Sequence, residues 1–219
     1  MKPLLKSCAR GLAMLVVLPV VLTFHLRALV IGRDRALEGT SQWMSLLPGL
    51  WGSYLRTAFL RFALDECHPT ARVEFGTLLS KAGARLGSHC YIGPHCHLGL
   101  VTVESDALIA AGVHIPSGAH PHGTDDLERP IREQPGRLTA VRIGAGSWIG
   151  AAAVVMADVG AGTIVGAGSV VTRPLPDRLV AVGVPARTIR SREFSALDDP
   201  ESCLTETTGT RLASMHQSI

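Results

Sequence analysis

Through the middle of the chain, aliphatic residues return every six positions, most of them followed by Gly or another small or turn-forming residue. The series runs Leu86, Ile92, Leu98, then Val103, Ile109, Ile115, then Ile143, Ile149, Val155, and closes with Val165 and Val171. Four places after each aliphatic, a small or β-branched residue recurs: Cys90, Cys96, Ala107, Val113, Ala119, Ser147, Ala153 and Ser169. A period of six is too short for a helical repeat. It fits a strand of a few residues plus a turn, with one large and one small side chain pointing inward. Three such units make a triangular coil, and successive coils stack at about 4.8 Å. Each coil buries its aliphatic column only against its neighbours, so several turns and a cap at each end are needed. The predicted fold class is mainly β, a parallel β-helix of hexapeptide repeats. The register breaks three times. Leu98 to Val103 is one residue short, Val155 to Val159 is two short, and an insertion centred on 121–138 separates Ile115 from Ile143. A long polar loop leaving a regular solenoid points to function.

The texture divides the chain into three regions: 1–67 helical and membrane-associated, 68–190 the coil, and 191–219 a disordered tail rich in Ser, Thr and Glu. From Gly11 to Leu26 there is no Asp, Glu, Lys or Arg. As a helix this run is roughly 24 Å long at about 1.5 Å per residue, short for a hydrocarbon core of about 30 Å. Extending it takes in Arg27, placed to snorkel from the end, and Pro19 predicts a kink. A signal peptide is the alternative, but no small-x-small site follows the run. Trp43 to Leu64 reads as an amphipathic segment in the membrane interface, with Trp43, Trp51 and Tyr54 at headgroup level. The competing reading of that segment is a soluble helical cap over the open end of the coil.

Composition sharpens this picture. Hydrophobic residues make up 47% of the 219 positions but aromatics only 5%, so the core is filled by aliphatics and Ala, and 23 Gly suit many tight turns. A net charge of +3 is too small to imply a nucleic-acid partner, and none is expected. The charge is uneven: Lys2, Lys6, Arg10, Arg27, Arg33 and Arg35 make the apolar end basic, which suggests anionic lipid. Five cysteines without framework spacing point to a reducing compartment.

The repeats, a His-bearing loop and a closing block made of 141–150 (VRIGAGSWIG), 164–173 (IVGAGSVVTR) and 183–187 (GVPAR) resemble the hexapeptide-repeat acyltransferases over about Val73 to Arg190. This group includes the maltose, galactoside and xenobiotic acetyltransferases. Residues 32–35 (GRDR) and 45–49 (SLLPG) resemble a membrane-associated subgroup found with polysaccharide-assembly proteins. The resemblance implies a left-handed β-helix, a homotrimer, and acyl transfer from acetyl-CoA to a hydroxyl or amine, with a sugar or glycan as acceptor. It implies His120, in Ala119-His120-Pro121, as the base; an imidazole titrating near about pH 6.5 suits that role. His122, Asp125, Asp126 or Glu128 would orient it or touch the acceptor. The donor would lie between subunits, against Trp148 and Ala151 at the pantetheine arm, then Ala167, Thr172 and Arg173, with Arg187 at the nucleotide phosphates. The family commonly has an acidic residue where Pro174 stands here.

Two other classes compete. His89, Cys90, His95, Cys96 and His97 look like metal ligands, but Cys90 and Cys96 fall in the small inward slot of consecutive units, so no metal is expected. A zinc hydratase of the carbonic-anhydrase type on the same coil calls for His-x4-His, a spacing that no pair among His89, His95, His97, His114, His120 and His122 has. A catalytically silent assembly scaffold would need the loop or the donor groove degraded. The expected setting is the cytoplasmic face of a bacterial inner membrane, with monotopic attachment, because positive residues flank the apolar run on both sides.

Overall fold

The computed structural model describes residues 3–192. The tail expected over 191–219 therefore lies almost wholly outside the described residues, as does Cys203. Three helices precede the coil: α1 (Pro3–Ile31), α2 (Arg33–Ser45) and α3 (Gly49–Ala63). The coil then makes six turns of a left-handed parallel β-helix. Turn one holds β1 (Glu66–Cys67), β2 (Arg72–Val73) and β3 (Leu78–Leu79), and turn two holds β4 (Arg85–Leu86), β5 (Tyr91–Ile92) and β6 (His97–Leu98). Turn three holds β7 (Val101–Val103), β8 (Leu108–Ile109) and β9 (His114–Ile115). After the loop come β10 (Val141–Ile143), β11 (Trp148–Ile149) and β12 (Val154–Val155). Turn five has a bridge at Val159, then β13 (Ile164–Val165) and β14 (Val170–Val171). Turn six has a bridge at Leu175, then β15 (Leu179–Val182), against which β16 (Arg187–Ser191) folds back antiparallel.

Three parallel sheets result. The first is β1-β4-β7-β10, continued by the bridges at Val159 and Leu175. The second is β2-β5-β8-β11-β13-β15-β16 and the third β3-β6-β9-β12-β14. The predicted aliphatic column, from Leu86 through Ile149 to Val171, is fully buried along the axis. Cys90, Cys96, Ala107, Val113, Ser147, Ala153 and Ser169 fill the small inward slots. Ala119 does not: it is exposed, because the chain has already left the coil after Ser117. All three breaks in the six-residue period fall on one edge of the prism, between the third sheet and the first. Shortened corners there leave the stacking intact because the strands on either side keep their partners, as Val141 pairs with Val101 across the insertion.

The N-terminal helices differ from expectation in two ways. First, α1 runs unbroken through Pro19 and is about 43 Å long at 1.5 Å per residue. Leu5–Ile31 within it is long and apolar enough to cross a membrane. Arg27 does not snorkel; its guanidinium folds back to Thr40 Oγ1 at 3.3 Å. Secondly, the segment expected to lie in the interface is largely committed to the coil. Along α3, Ser53, Leu55, Arg56, Thr57, Phe59 and Leu60 are buried. The reason is the open edge of turn one, whose backbone groups need partners. Arg56, 2% exposed, donates from Nε to Val73 O (3.0 Å) and from Nη1 to Leu47 O (2.6 Å) and Met44 O (3.3 Å). Ser53 Oγ also donates to Val73 O, and Thr57 Oγ1 to Ala71 O, both at 3.1 Å. From α2, Ser41 Oγ accepts from Leu79 N and Asp34 Oδ1 from Ala82 N, each at 2.9 Å. The helices are a cap as well as an apolar surface. α1 packs on that cap, with Phe24 edge-on to Phe59 at 5.6 Å, and leaves Leu15, Val16, Leu18 and Leu22 exposed.

Candidate active site

The inserted segment, 116–140, leaves the coil after β9 and returns at β10. It is held as a two-armed loop. At its foot Ser117 Oγ accepts from Leu100 N at 2.9 Å, and Thr139 N donates to Ser117 O at 2.9 Å. Higher up, Arg137 N donates to His120 O at 2.8 Å. Gly136 passes so close to Pro121 that a Cβ there would lie 2.0 Å from the Pro121 carbonyl oxygen. Near the tip, Gln134 is buried. Its Nε2 donates to Asp126 O (2.6 Å) and Arg129 O (2.8 Å), and its Oε1 accepts from Asp126 N (3.1 Å). The backbone of His120 is thus fixed from the opposite arm, while its imidazole is exposed. Nothing in the polar composition of the loop singled out Gln134; a buried amide in a loop declares itself only once the two arms are seen to meet.

His120 has no side-chain partner among the described residues. Asp126 Oδ1 is engaged by Glu128 N at 3.0 Å. None of His122, Asp125, Asp126 and Glu128 hydrogen-bonds to His120 within the protomer.

The residues assigned to the donor fall on two edges of the prism. Ala151, Ala167 and Arg187 share the edge between the second and third sheets. There Gly168 N donates to Ala151 O at 2.8 Å, and Arg187 pairs with Val182 at the end of β15. Glycine lets these corners stack: a Cβ on Gly150 would lie 2.4 Å from Ala167 N. Trp148 projects from the second sheet beside this edge, 48% exposed, in line with Leu108. Thr172 and Arg173 sit on the other side of the third sheet, on the edge from which the His120 loop springs. Both are exposed. One protomer therefore brings together Ala151, Ala167 and Arg187, and separately places Thr172 and Arg173 on the loop's edge.

The thiols stand apart from this chemistry. Burial pushes the Cys90 thiol up to about 12, and it raises that of Cys96 as well. The two precede strands of different sheets. No group of three or more His, Cys, Asp or Glu placed to hold a metal occurs among the described residues. His89 and His95 take left-handed turn conformations, with φ of 55° and 57°.

The chain is a six-turn left-handed β-helix with a braced, His-bearing loop at one edge, and in sequence and fold it is similar to acetyltransferases built on hexapeptide repeats. No family model matches the chain. Among characterised proteins it is 27% identical over 172 residues to the galactoside O-acetyltransferase of Escherichia coli, covering 66% of this chain and 82% of that protein. It is 37% identical over 76 residues to a probable acetyltransferase of Mycobacterium tuberculosis. That match covers 34% of this chain and only 25% of the relative's length. Among solved structures, a maltose O-acetyltransferase from Clostridium difficile superposes with a TM-score of 0.62 at 20% identity, over 74% of this chain and 89% of the other. A galactoside acetyltransferase in complex with coenzyme A gives 0.56 at 22% identity, over 73% and 80%. At these identities the structural likeness speaks for the fold.

Proposed function

We propose that the protein transfers an acyl group, in the first instance acetyl, from a coenzyme A thioester to a hydroxyl or amine of a sugar. The observation that carries this reading is the braced loop, which presents an exposed imidazole at a fixed point on one edge of the coil. His120 takes the proton from the acceptor's O–H or N–H as that atom attacks the thioester carbonyl. The C–S bond then breaks, and the imidazolium returns the proton to the departing thiolate. The donor lies along the edge formed by Ala151, Ala167 and Arg187. Small side chains there let the pantetheine arm approach the backbone, Trp148 flanks it, and Arg187 meets the phosphates. Since this edge and the His120 loop stand on opposite sides of the third sheet, a complete site requires two protomers, as a homotrimer provides. Thr172 and Arg173 then contribute from the loop's edge. The exposed pair Leu108 and Trp148 on the second sheet supports such a seam. Sugar acceptors are favoured by the galactoside and maltose acetyltransferases among the relatives.

Attachment is monotopic, on the face of the membrane that holds the donor. α1 is long enough to cross, but its contacts with the cap run from Met14, beside Arg61, through Phe24 to Arg27. A helix held along that length against a cap that also seals the coil lies on the membrane with its outer stripe inserted. The direct test is release of free thiol from acetyl-CoA by the purified full-length protein with a panel of sugars and amino sugars. The reading predicts acceptor-dependent release with acetylated product by mass spectrometry. Absence of release with every acceptor, under conditions where acetyl-CoA binds, favours the scaffold.

A further inference from the structure

A cavity on a different edge of the coil from the His120 loop has a chemistry that acyl transfer does not use. It measures about 470 Å³ and lies between the first turns of α1, the outer side of α3, and the second sheet at β2 and β5. Lys6 and Arg10, four apart on one face of α1, look into it together with Arg61 of α3 and Arg72 of β2. No Asp or Glu lines it. Arg72 is the best satisfied of the four: its Nε lies 2.5 Å from Glu74 Oε1, and its guanidinium sits 5.6 Å over the Tyr91 ring. Arg61 reaches only Met14 Sδ, a weak acceptor, at 3.3 Å. Lys6 and Arg10 have no hydrogen bond or ion pair among the described residues. Lys6, Arg10 and Arg61 converge beside the paired Arg72 with no carboxylate partner of their own among the described residues, and together they form a field that selects an anion. Guanidinium forks beside an ammonium suit phosphate oxygens in particular.

The α1–α3 side of the wall is largely apolar, with Met14, Leu50, Tyr54 and Ala58, while Thr70 and His89 line the coil side. The hydroxyls of Ser53 and Thr57 already donate to coil carbonyls. Beyond the rim the apolar surface continues over Leu5, Leu12, Leu50 and Trp51, which are 42–56% exposed. A phosphate with an apolar body attached fits both halves, whereas a free phosphate would leave the apolar half unused. We propose that this cavity binds the phosphate head of an anionic lipid, with the acyl chains running out along the exposed face of α1. Such a lipid would fix the height and rotation of the coil relative to the membrane, and this assignment is independent of the chemistry at His120.

The test is calorimetric titration of the full-length protein, held in a non-ionic maltoside detergent, with dihexanoyl phosphatidylglycerol. Dihexanoyl phosphatidylcholine and inorganic phosphate are run in parallel. Saturable binding of the glycerol lipid is expected, with both controls about tenfold weaker or worse. A K6Q/R10Q double variant should lose about tenfold or more in affinity for the glycerol lipid, and R10K should keep most of it. Both positions are on the surface of α1, so the melting temperature of the variants should match the parent and a folding defect would be visible. Inorganic phosphate binding as tightly as the lipid would overturn the lipid assignment in favour of a free phosphate. Equal affinity for both lipids, or a double variant that binds like the parent, would overturn the site itself.

Discussion

Arg56 shows how much one side chain contributes to closing a solenoid. It is buried, makes three hydrogen bonds to carbonyl oxygens, and joins α3 to the chain before it and to β2 in the first turn of the coil. Burial lowers its pKa, with the charge of Glu74 acting in the opposite sense. Removing it leaves carbonyls unpaired and a hole in the cap. Arg56→Ala should therefore destabilise by about 3 kcal/mol, read as a lower midpoint in urea. On the surface the scale is smaller. Arg142 grips Glu104 with two bonds, at 2.6 and 3.1 Å, and Glu104 also accepts from Ala145 N at 2.9 Å. The bond to Arg142 is the main reason the Glu104 carboxyl titrates below its usual range. A lowered folded-state pKa means that the stabilisation is present above the unfolded value near pH 4.3 and fades as pH falls through the folded one. Glu104→Gln should cost about 0.5–1 kcal/mol at neutral pH and progressively less as the pH is lowered into the acid range, measured by denaturant melts.

At the scale of elements, the loop and the cap were legible to different degrees. The six-residue period shows where the coil breaks, so the loop can be found by counting, while His120 within it is pointed to by the resemblance to the acyltransferases. The two edges that divide the donor residues follow from the same count once each unit is assigned to a sheet. Two features were not accessible. Ala119 keeps the spacing of an inward residue and yet is exposed, because the chain departs after Ser117, before that position is reached. The segment 43–64 was ambiguous because an apolar helix with buried arginine is patterned the same way whether it faces lipid or a ring of coil carbonyls. What decides is the position of Val73 and Ala71, contacts that local sequence does not carry. The loop's bracing gives a prediction of its own. Gln134→Ala removes the amide that joins its arms, and Gly136→Ala drives a methyl into the Pro121 carbonyl. Both should reduce kcat by about tenfold to a hundredfold through misplacement of His120. The coil's melting temperature should change little, since its strands pair across the insertion.

The whole molecule is a capped coil with a long apolar helix packed on the cap, and the proposed site needs two protomers. Assembly is the first consequence. Sedimentation in matched-density detergent should give a trimer, and Trp148→Glu should weaken it while leaving each protomer's fold intact by far-ultraviolet circular dichroism. A monomer of undiminished activity would remove the shared site. The central claim remains that His120 is the base. It is tested most directly by comparing His120→Ala with the parent in acetyl-CoA turnover against an acceptor that the parent acetylates. The variant should lose about 10²–10⁴-fold in kcat, with coenzyme A affinity and thermal stability unchanged. Turnover by the variant close to that of the parent would contradict it.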